Sequence, residues 1–229
     1  YSFGHGLLTP QRICREAQLR GYGAVAVVDR HNFYGLVRFL RAAERSGVRA
    51  IVGMTLMSAG RPLATAYVLD RRGYVRLNQI VSRTQGGDAL RDLLERGWEG
   101  LALLSADPAV LQSLRERGSR DLYVQLTYGR AFGRQLDYCR SSGLPPLAVN
   151  TALFKEPEES RLGDLLRAIS LRRTLDSLPP SVRLGQDQRL VGGEEMERFF
   201  ASVPGALANA RVLAEQAGCE DLLPNGRVF

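Results

Sequence analysis

The stretch "GAVAVVDRHNFYGLVRFLRAAERSGVRAIVG", residues 23–53, carries the strand and helix pattern that predicts the fold class. Its two short apolar runs, 24–28 and 49–53, are typical of strands that are buried on both faces. Between these runs, apolar residues recur at helical spacing until Gly47, which favours a helix that ends there. Because a helix that joins two buried strands forms a β-α-β unit, the stretch predicts two neighbouring parallel strands.

The rest of the chain repeats this alternation of strands and helices. About six strands separated mostly by helices predict an α/β fold with a largely parallel sheet covered by helices. A closed barrel would need one more strand, so we expect Tyr1 to follow directly after a strand. The other predicted strands are 54–69, which turns at residues 60–62, then 100–105, 121–127 and 145–150. The other predicted helices begin at Pro10 and run to Gly21, then cover 73–84, 88–96, 108–118, 131–141 and 157–171.

The C-terminal part of the chain has a different character. Residues 176–193, "DSLPPSVRLGQDQRLVGG", are rich in turn-forming residues and predict an irregular arm. Two helices, 194–201 and 204–217, are predicted to follow it. We therefore divide the chain into a barrel over residues 1–175 and an extended arm with a helical connector over residues 176–229.

The composition is basic. The 229 residues include 31 Lys and Arg against 24 Asp and Glu, which gives a formal charge of +7. Nearly all of these cations are Arg, and this balance favours polyanionic partners such as DNA. The arginines are spread along the chain, so a DNA-binding surface would have to come from folding. A general compositional preference for Arg is the alternative explanation.

Several classes of protein do not fit this sequence. No apolar run approaches the roughly 18 to 20 residues of a membrane span, and the first residues lack a signal-peptide pattern. We therefore expect a cytoplasmic protein without a membrane partner. The three cysteines lack metal-binding or disulfide spacing and are expected to be reduced thiols. They are Cys14, Cys139 and Cys219.

Polar residues follow the predicted strands, where barrel-type α/β proteins place their functional groups. A hydrolytic metal site needs several imidazoles and carboxylates, but the chain has only two histidines, His5 and His31. Together with Asp29 they would supply three ligands at most, so we expect no bound metal and no other cofactor. The strand-end residues, which we treat as one candidate cleft, are Asp29, Arg30, His31, Asn32, Thr55, Gln125, Asn150 and Thr151.

Each titratable residue of this set also has a structural explanation. Asp29 is expected to form an ion pair or to cap the following helix. We expect His31 to be a hydrogen-bonded structural histidine. His5 lies in the glycine-flanked loop "FGHG", where an exposed turn residue is typical. The P-loop, dinucleotide-binding, nucleophile-elbow and H-E-x-x-H motifs are absent from the sequence.

Four segments together resemble one family. They are "YSFGHGLLTPQRICREAQLRGYGAVAVVDRHNFYGLVRFLRAAERSGVRAIVGMTL" (1–56), "LAVNTALF" (147–154), "RLGDLLRAISLRRTLD" (161–176) and "EEMERFFASVPGALANARVLAEQAG" (194–218). They resemble the polymerase-and-histidinol-phosphatase (PHP) domain of the bacterial DNA polymerase III alpha subunit and its error-prone relatives. The resemblance runs nearly end to end, and it is loose over residues 56–120.

The resemblance implies a distorted seven-stranded barrel, which in complete family members binds up to three metal ions and hydrolyses phosphoesters. The chain departs from the family's ligand pattern. The family motif T-D-H-D-N corresponds to residues 28–32, "VDRHN", of this chain. Asp29 and Asn32 match the motif, whereas Arg30 stands in the place of its ligand histidine. Thr55 and Gln125 replace two glutamates. Residues 150–153, "NTAL", replace N-D-V-H, and the first histidine pair of the family would precede Tyr1.

These departures imply a PHP domain with a degenerate metal site. We expect a non-catalytic module of a DNA polymerase III alpha-like protein, which acts in replication or repair synthesis and contacts the polymerase region. That region, which carries the family's DNA-directed DNA polymerase activity, does not lie in these residues. One alternative is a Zn- or Mn-dependent phosphoesterase or 3′–5′ exonuclease completed by residues upstream of Tyr1. Another is a stand-alone basic DNA-binding domain.

Overall fold

The computed structural model describes residues 6–58, 60–85, 97–180 and 182–218. Six strands form one sheet in which the spatial order follows the chain order. The predicted strand count is therefore confirmed. The strands are β1 (Ala24–Arg30), β2 (Arg49–Ser58), β3 (Arg61–Val68), β4 (Leu101–Ser105), β5 (Leu122–Thr127) and β6 (Pro146–Val149).

Eight α-helices occur in the described residues, and their positions follow the predicted pattern. The Thr9 hydroxyl accepts a hydrogen bond from the backbone of Arg12, and Asp107 caps its helix in the same way. The predicted helix over 88–96 lies outside the described residues. The helices are α1 (Pro10–Leu19), α2 (Leu36–Ser46), α3 (Arg71–Gln85), α4 (Pro108–Glu116), α5 (Phe132–Ser142), α6 (Ser160–Ser170), α7 (Gly193–Phe199) and α8 (Pro204–Gln216). No helix in these ranges is long and apolar enough to cross a membrane.

The sheet is mixed, with one strand reversed. Strand β3 runs antiparallel to β2 and β4, whereas the pairs β1–β2, β4–β5 and β5–β6 are parallel. The turn between β2 and β3 includes Gly60, whose φ of 76° lies in the left-handed region that glycine adopts without strain. Because five strands point the same way, their carboxyl ends meet at one edge of the sheet. The prediction of a mostly parallel α/β sheet is confirmed.

The sheet curls into a half-barrel, and its two faces pack against different helices. On the concave face, side chains such as Ile51 and Leu147 contact Leu213 and Ala217 at the end of α8. The Nδ2 of Asn209 on α8 donates to the carbonyl of Pro146, the first residue of β6, at 2.7 Å. Helix α8 therefore fills the concave side near the amino ends of the strands.

The arm over residues 176–193 lies along the loop that follows β6. The backbone N–H of Leu153 donates to the carbonyl of Gln188, and the N–H of Leu190 donates to the carbonyl of Phe154. The arm contains one short 3₁₀ helix, Gln186–Gln188. The proposed division at residue 175 stays a prediction, although α8 shares its apolar core with the sheet.

Gly53 of β2 has no side chain, which leaves room for the ring of Tyr67 on β3 to lie over it on the concave face of the sheet. A Cβ at position 53 would stand 2.8 Å from a ring carbon of Tyr67 and 3.1 Å from the carbonyl oxygen of Ala66. This burial raises the pKa of Tyr67 to about 12. The close approach explains a glycine inside a buried strand.

Gly53→Ala is expected to lower the free energy of unfolding by about 1–3 kcal/mol, because the added methyl group would come too close to the ring of Tyr67. Chemical denaturation monitored by circular dichroism measures this change. Gly23→Ala is the matched control, since a Cβ there meets nothing within 4 Å. Equal stability of the two variants would contradict the packing argument.

Candidate functional site

The carboxyl ends of β1, β2 and β5 bring Arg30, Thr55 and Gln125 to one cavity. Side chains alternate between the two faces of a strand, and Ala24, Ala26 and Val28 of β1 face the concave side. Arg30 has the same parity and lines the cavity, whose volume is about 1040 Å³. Asn150 and Thr151, which follow β6, also line it. The structure therefore brings together five of the eight candidate residues.

Asp29 lies on the opposite face of the sheet from this cavity. Its side chain is only 3% exposed, and its Oδ2 accepts a hydrogen bond from the backbone N–H of Gly35 at 2.8 Å. Gly35 directly precedes α2, where negative charge stabilises unsatisfied N–H groups. Asp29 thus holds the turn between β1 and α2, as expected of a capping carboxylate.

His31 is hydrogen-bonded through both ring nitrogens. Its Nδ1 accepts from the backbone N–H of Met57 at 3.3 Å, and its Nε2 lies 2.7 Å from the hydroxyl of Thr84 on α3. The ring is therefore neutral with its proton on Nε2, because Nδ1 must keep its lone pair. Burial lowers the pKa of His31. Neighbouring Asn32 accepts from the N–H of Phe33 at 2.7 Å.

Gln125 belongs to an amide and hydroxyl network on β5. Its Nε2 donates to the hydroxyl of Thr127 at 3.0 Å, and the Nε2 of Gln135 on α5 donates to the same oxygen at 3.3 Å. The Oε1 of Gln135 accepts the backbone N–H of Thr127 at 2.7 Å. These contacts join the end of β5 to α5 without a carboxylate.

Asn150 fixes the arm to the barrel. Its Nδ2 donates to the carbonyl of Arg189 at 3.0 Å, and its Oδ1 accepts the N–H of Val191 at 3.0 Å. The amide therefore binds two backbone groups of the arm in the manner of a neighbouring strand. Close by, Glu195 accepts from the guanidinium of Arg189 and from the hydroxyl of Tyr128, both at 2.5 Å. These two hydrogen bonds lower the pKa of Glu195.

Arg167 of α6 also lines the cavity, and sequence reasoning missed it. Its guanidinium donates to the carbonyl of Val182 in the arm. Burial and the positive charge of Arg30 lower the pKa of Arg167. Burial likewise lowers the pKa of Arg30. In the sequence, Arg167 is one of many arginines on a helix, and only the docking of α6 brings it to the strand ends.

These side chains do not fit a divalent metal ion. Guanidinium groups have no lone pair to offer and repel cations, and hydroxyl or amide groups alone make a weak hydrolytic site. Among the described residues, no three His, Cys, Asp or Glu side chains are grouped to hold a metal. His5, the remaining ligand candidate, lies outside the described residues. The thiols of Cys14 and Cys139 are free and buried, while Cys219 also lies outside the described part.

Residues 1–121, more than half of the chain, match the PHP domain. The chain belongs to the PHP domain family. Beyond residue 121 the chain is similar to error-prone DNA polymerases, which it matches over 91% and 94% of its length in the two examples below.

Error-prone DNA polymerase 3 of Agrobacterium fabrum (strain C58) is 28% identical over 228 residues, which cover 91% of this chain and 21% of that protein. The error-prone DNA polymerase of Mycobacterium tuberculosis (strain H37Rv) is 32% identical over 263 residues, which cover 94% of this chain and 24% of that protein. The PHP chain thus spans about a fifth to a quarter of the length of these relatives.

An amidohydrolase from Chromobacterium violaceum is similar in structure over 63% of this PHP chain and 81% of its own. The TM-score is 0.41 and the identity is 15%. A structural similarity with so low a TM-score and identity indicates nothing about the chemistry of the cavity.

His31 is expected to make the stability of the domain depend on pH. Because its pKa is lower when folded than when unfolded, the unfolded chain binds the proton first as the pH falls. Stability is therefore complete above about pH 6.5 and falls below it. Urea denaturation at pH 7.5 and 5.5 measures the difference.

His31→Asn is expected to reduce this pH dependence and to lower stability by about 1–3 kcal/mol through lost hydrogen bonds. Asparagine tolerates the positive φ of 49° at this position. The matched control is His5→Asn, since His5 is the other histidine of the chain. A pH dependence that survives in His31→Asn and disappears in His5→Asn would refute the assignment.

Asn150→Ala is expected to release the arm. Two partly buried backbone groups, the carbonyl of Arg189 and the N–H of Val191, lose their partners, which costs about 1–3 kcal/mol each when no water replaces the amide. Limited proteolysis should then cut residues 176–193 faster, by tenfold or more. Thr151→Ala, at an exposed neighbouring position, is the control and should leave the cleavage rate unchanged.

Proposed function

We propose that this chain is a non-catalytic PHP domain of an alpha-type or error-prone DNA polymerase, in which it serves as a structural and interaction module. The observation that carries this proposal is the cavity at the strand carboxyl ends. Where the family resemblance implies metal ligands, the cavity is lined by Arg30, Thr55 and Gln125. None of these three side chains is an imidazole or a carboxylate.

Electrostatics supports the absence of hydrolysis. Two permanent guanidinium charges, Arg30 and Arg167, face the space that a metal cluster would need. At an effective dielectric constant of about 20, two like unit charges about 4 Å apart repel each other by about 4 kcal/mol. A divalent ion carries two charges and would be repelled by both guanidinium groups, and in the described part of the chain no group of three His, Cys, Asp or Glu side chains is placed to hold it.

The contacts of the cleft support a structural role. Asn150 binds the arm, Gln125 belongs to the network that joins β5 to α5, and Asp29 holds the turn before α2. Each of these polar groups is engaged in fixing one element of the fold to another. Such a rigid domain would serve as a platform for a neighbouring polymerase region.

Helix α6 offers a surface for such a contact. Leu162, Leu165 and Ile169 recur at helical spacing and are 51%, 41% and 64% exposed. An apolar stripe of this kind is typical of an interaction surface. The similarity to error-prone polymerases, of which this chain matches about a fifth to a quarter, supports a polymerase region as the partner.

The proposal predicts that the purified chain neither retains nor uses a metal. Metal analysis after incubation with excess Zn²⁺ or Mn²⁺ and desalting should give well under one ion per chain. Single-stranded DNA and a phosphomonoester should be hydrolysed no faster in the presence of the chain than in buffer with the same metal.

The same assays on Asp29→Ala provide the decisive control. Residual hydrolysis from a contaminating nuclease would be unchanged in this variant. Metal-dependent turnover that is present in the parent chain and lost in Asp29→Ala would show an active phosphoesterase. That result would overturn the proposal.

A further inference from the structure

Five exposed residues on and beside α6 follow one another at alternating intervals of four and three positions. They are Glu158, Leu162, Leu165, Ile169 and Arg172, and we call them the α6 stripe. This spacing places side chains along one side of a helix, as at the a and d positions of a coiled coil. Glu158 lies in the 3₁₀ turn before α6, and Arg172 is the second residue after its end. The α6 stripe is therefore acidic at one end, apolar in the middle and basic at the other end.

The fold uses another side of α6 to hold the arm. A Cβ at Gly163 would collide with the side chain of Leu184, and Asp164 accepts the backbone N–H of Leu184 at 2.7 Å. The three apolar residues of the α6 stripe stay 41–64% exposed. Because burying apolar surface is favourable, these side chains would be stabilised by contact with another molecule.

The two charged ends of the α6 stripe are also open to such a contact. Glu159, which follows Glu158 in the chain, pairs with Arg12 at 2.5 Å. Glu158 and Arg172 are both exposed, and neither forms an ion pair within the described part of the chain. Each can therefore face an opposite charge on a second molecule.

Arg172 has an unusual backbone conformation. Its φ of 52° lies in the left-handed region, which ends many helices and is usually occupied by glycine. Any other residue is strained there, because its Cβ approaches the backbone. An arginine at a strained position points to an interaction of its side chain.

From these observations we propose that two copies of this chain associate through α6, with the two helices antiparallel. Leu162 of one copy then lies opposite Ile169 of the other, and Leu165 lies opposite Leu165. Glu158 of each copy faces Arg172 of the other copy. The α6 stripe is thus complementary to itself, as a two-fold symmetric interface requires. Parallel helices would instead place like charges opposite each other at both ends.

This inference concerns the same surface that the proposed function offers to a polymerase region. One occupant excludes the other, so the pair is the state of the chain in which that region is not bound. An association measurement reports neither metal binding nor hydrolysis. The failure of one proposal is therefore distinguishable from the failure of the other.

The proposed interface is short. Helix α6 has 11 residues and is therefore about 16 Å long. Interfaces that bury less than about 1,200 Å² belong to weak or transient complexes. We expect a dissociation constant on the order of 100 μM.

The test is sedimentation equilibrium of the complete 229-residue chain, at concentrations on both sides of the expected dissociation constant. A thiol reductant keeps the three cysteines from linking two copies. The average mass should rise with concentration toward that of a dimer and not beyond it, because a two-fold interface closes on itself.

Leu165→Glu is expected to weaken the association at least tenfold, because two carboxylates would face each other at the centre of the interface. Val212→Glu is the matched control. It makes a similar change at a residue of α8 that is 45% exposed, against 41% for Leu165, and should associate as the parent does. Circular dichroism and the melting temperature of dilute samples check that both variants remain folded.

Reversal of the end charges tests the antiparallel arrangement. Glu158→Arg and Arg172→Glu should each weaken self-association about fivefold or more, since like charges then meet at both ends. The double variant should associate as the parent does, because it restores an opposite charge at each end. An equimolar mixture of the two single variants should also associate, whereas either one alone should not.

The proposal is overturned if the parent chain stays monomeric over the whole concentration range, or if its mass rises beyond that of a dimer. It is equally overturned if Leu165→Glu associates as the parent does, or if Val212→Glu loses as much affinity as Leu165→Glu. Failure of the double variant or of the mixture to restore association would overturn the antiparallel pairing.

Discussion

The alternation of side chains along β1 is the constraint on which the rest of the site depends. Asp29 and Arg30 are adjacent in the strand, so their side chains point to opposite faces of the sheet. The carboxylate enters the convex side and binds Gly35 before α2, while the guanidinium enters the cavity on the concave side. A shift of one residue in the β1–β2 register would exchange these two charges and bury Arg30 among apolar helices.

Arg30 places a permanent positive charge in this cavity. A metal ion requires deprotonated ligands and can leave, whereas Arg30 is part of the chain and stays protonated. In the function proposed above, the PHP fold keeps the pocket and does without a Lewis acid. The arm, held by Asn150, lies beside the loop that follows β6. The domain thereby combines a family-typical scaffold with a different local electrostatics.

Sequence patterns predicted the elements of the fold well, because apolar periodicity and capping are local properties. The helix that begins at Pro10 behind Thr9 and the strands on either side of α2 follow from such signals. The candidate cleft was predicted less completely. His31 was expected to be structural, and its two ring hydrogen bonds agree with that. Nothing local indicated that Arg167 would line the same cavity as Arg30, since the two residues are 137 positions apart in the chain.

The sequence alone was sufficient to predict the alternation of strands and helices, the resemblance to the PHP family and the departures from that family's ligand pattern at the strand ends. The folded structure was needed to show which of these residues line the cavity, where α8 packs, and that Arg167 lines the same cavity as Arg30. The physical reason is the range of the forces involved. Strand and helix formation depends on neighbours a few residues apart, whereas the electrostatics of a cavity depends on every charge that folding brings within about 10 Å.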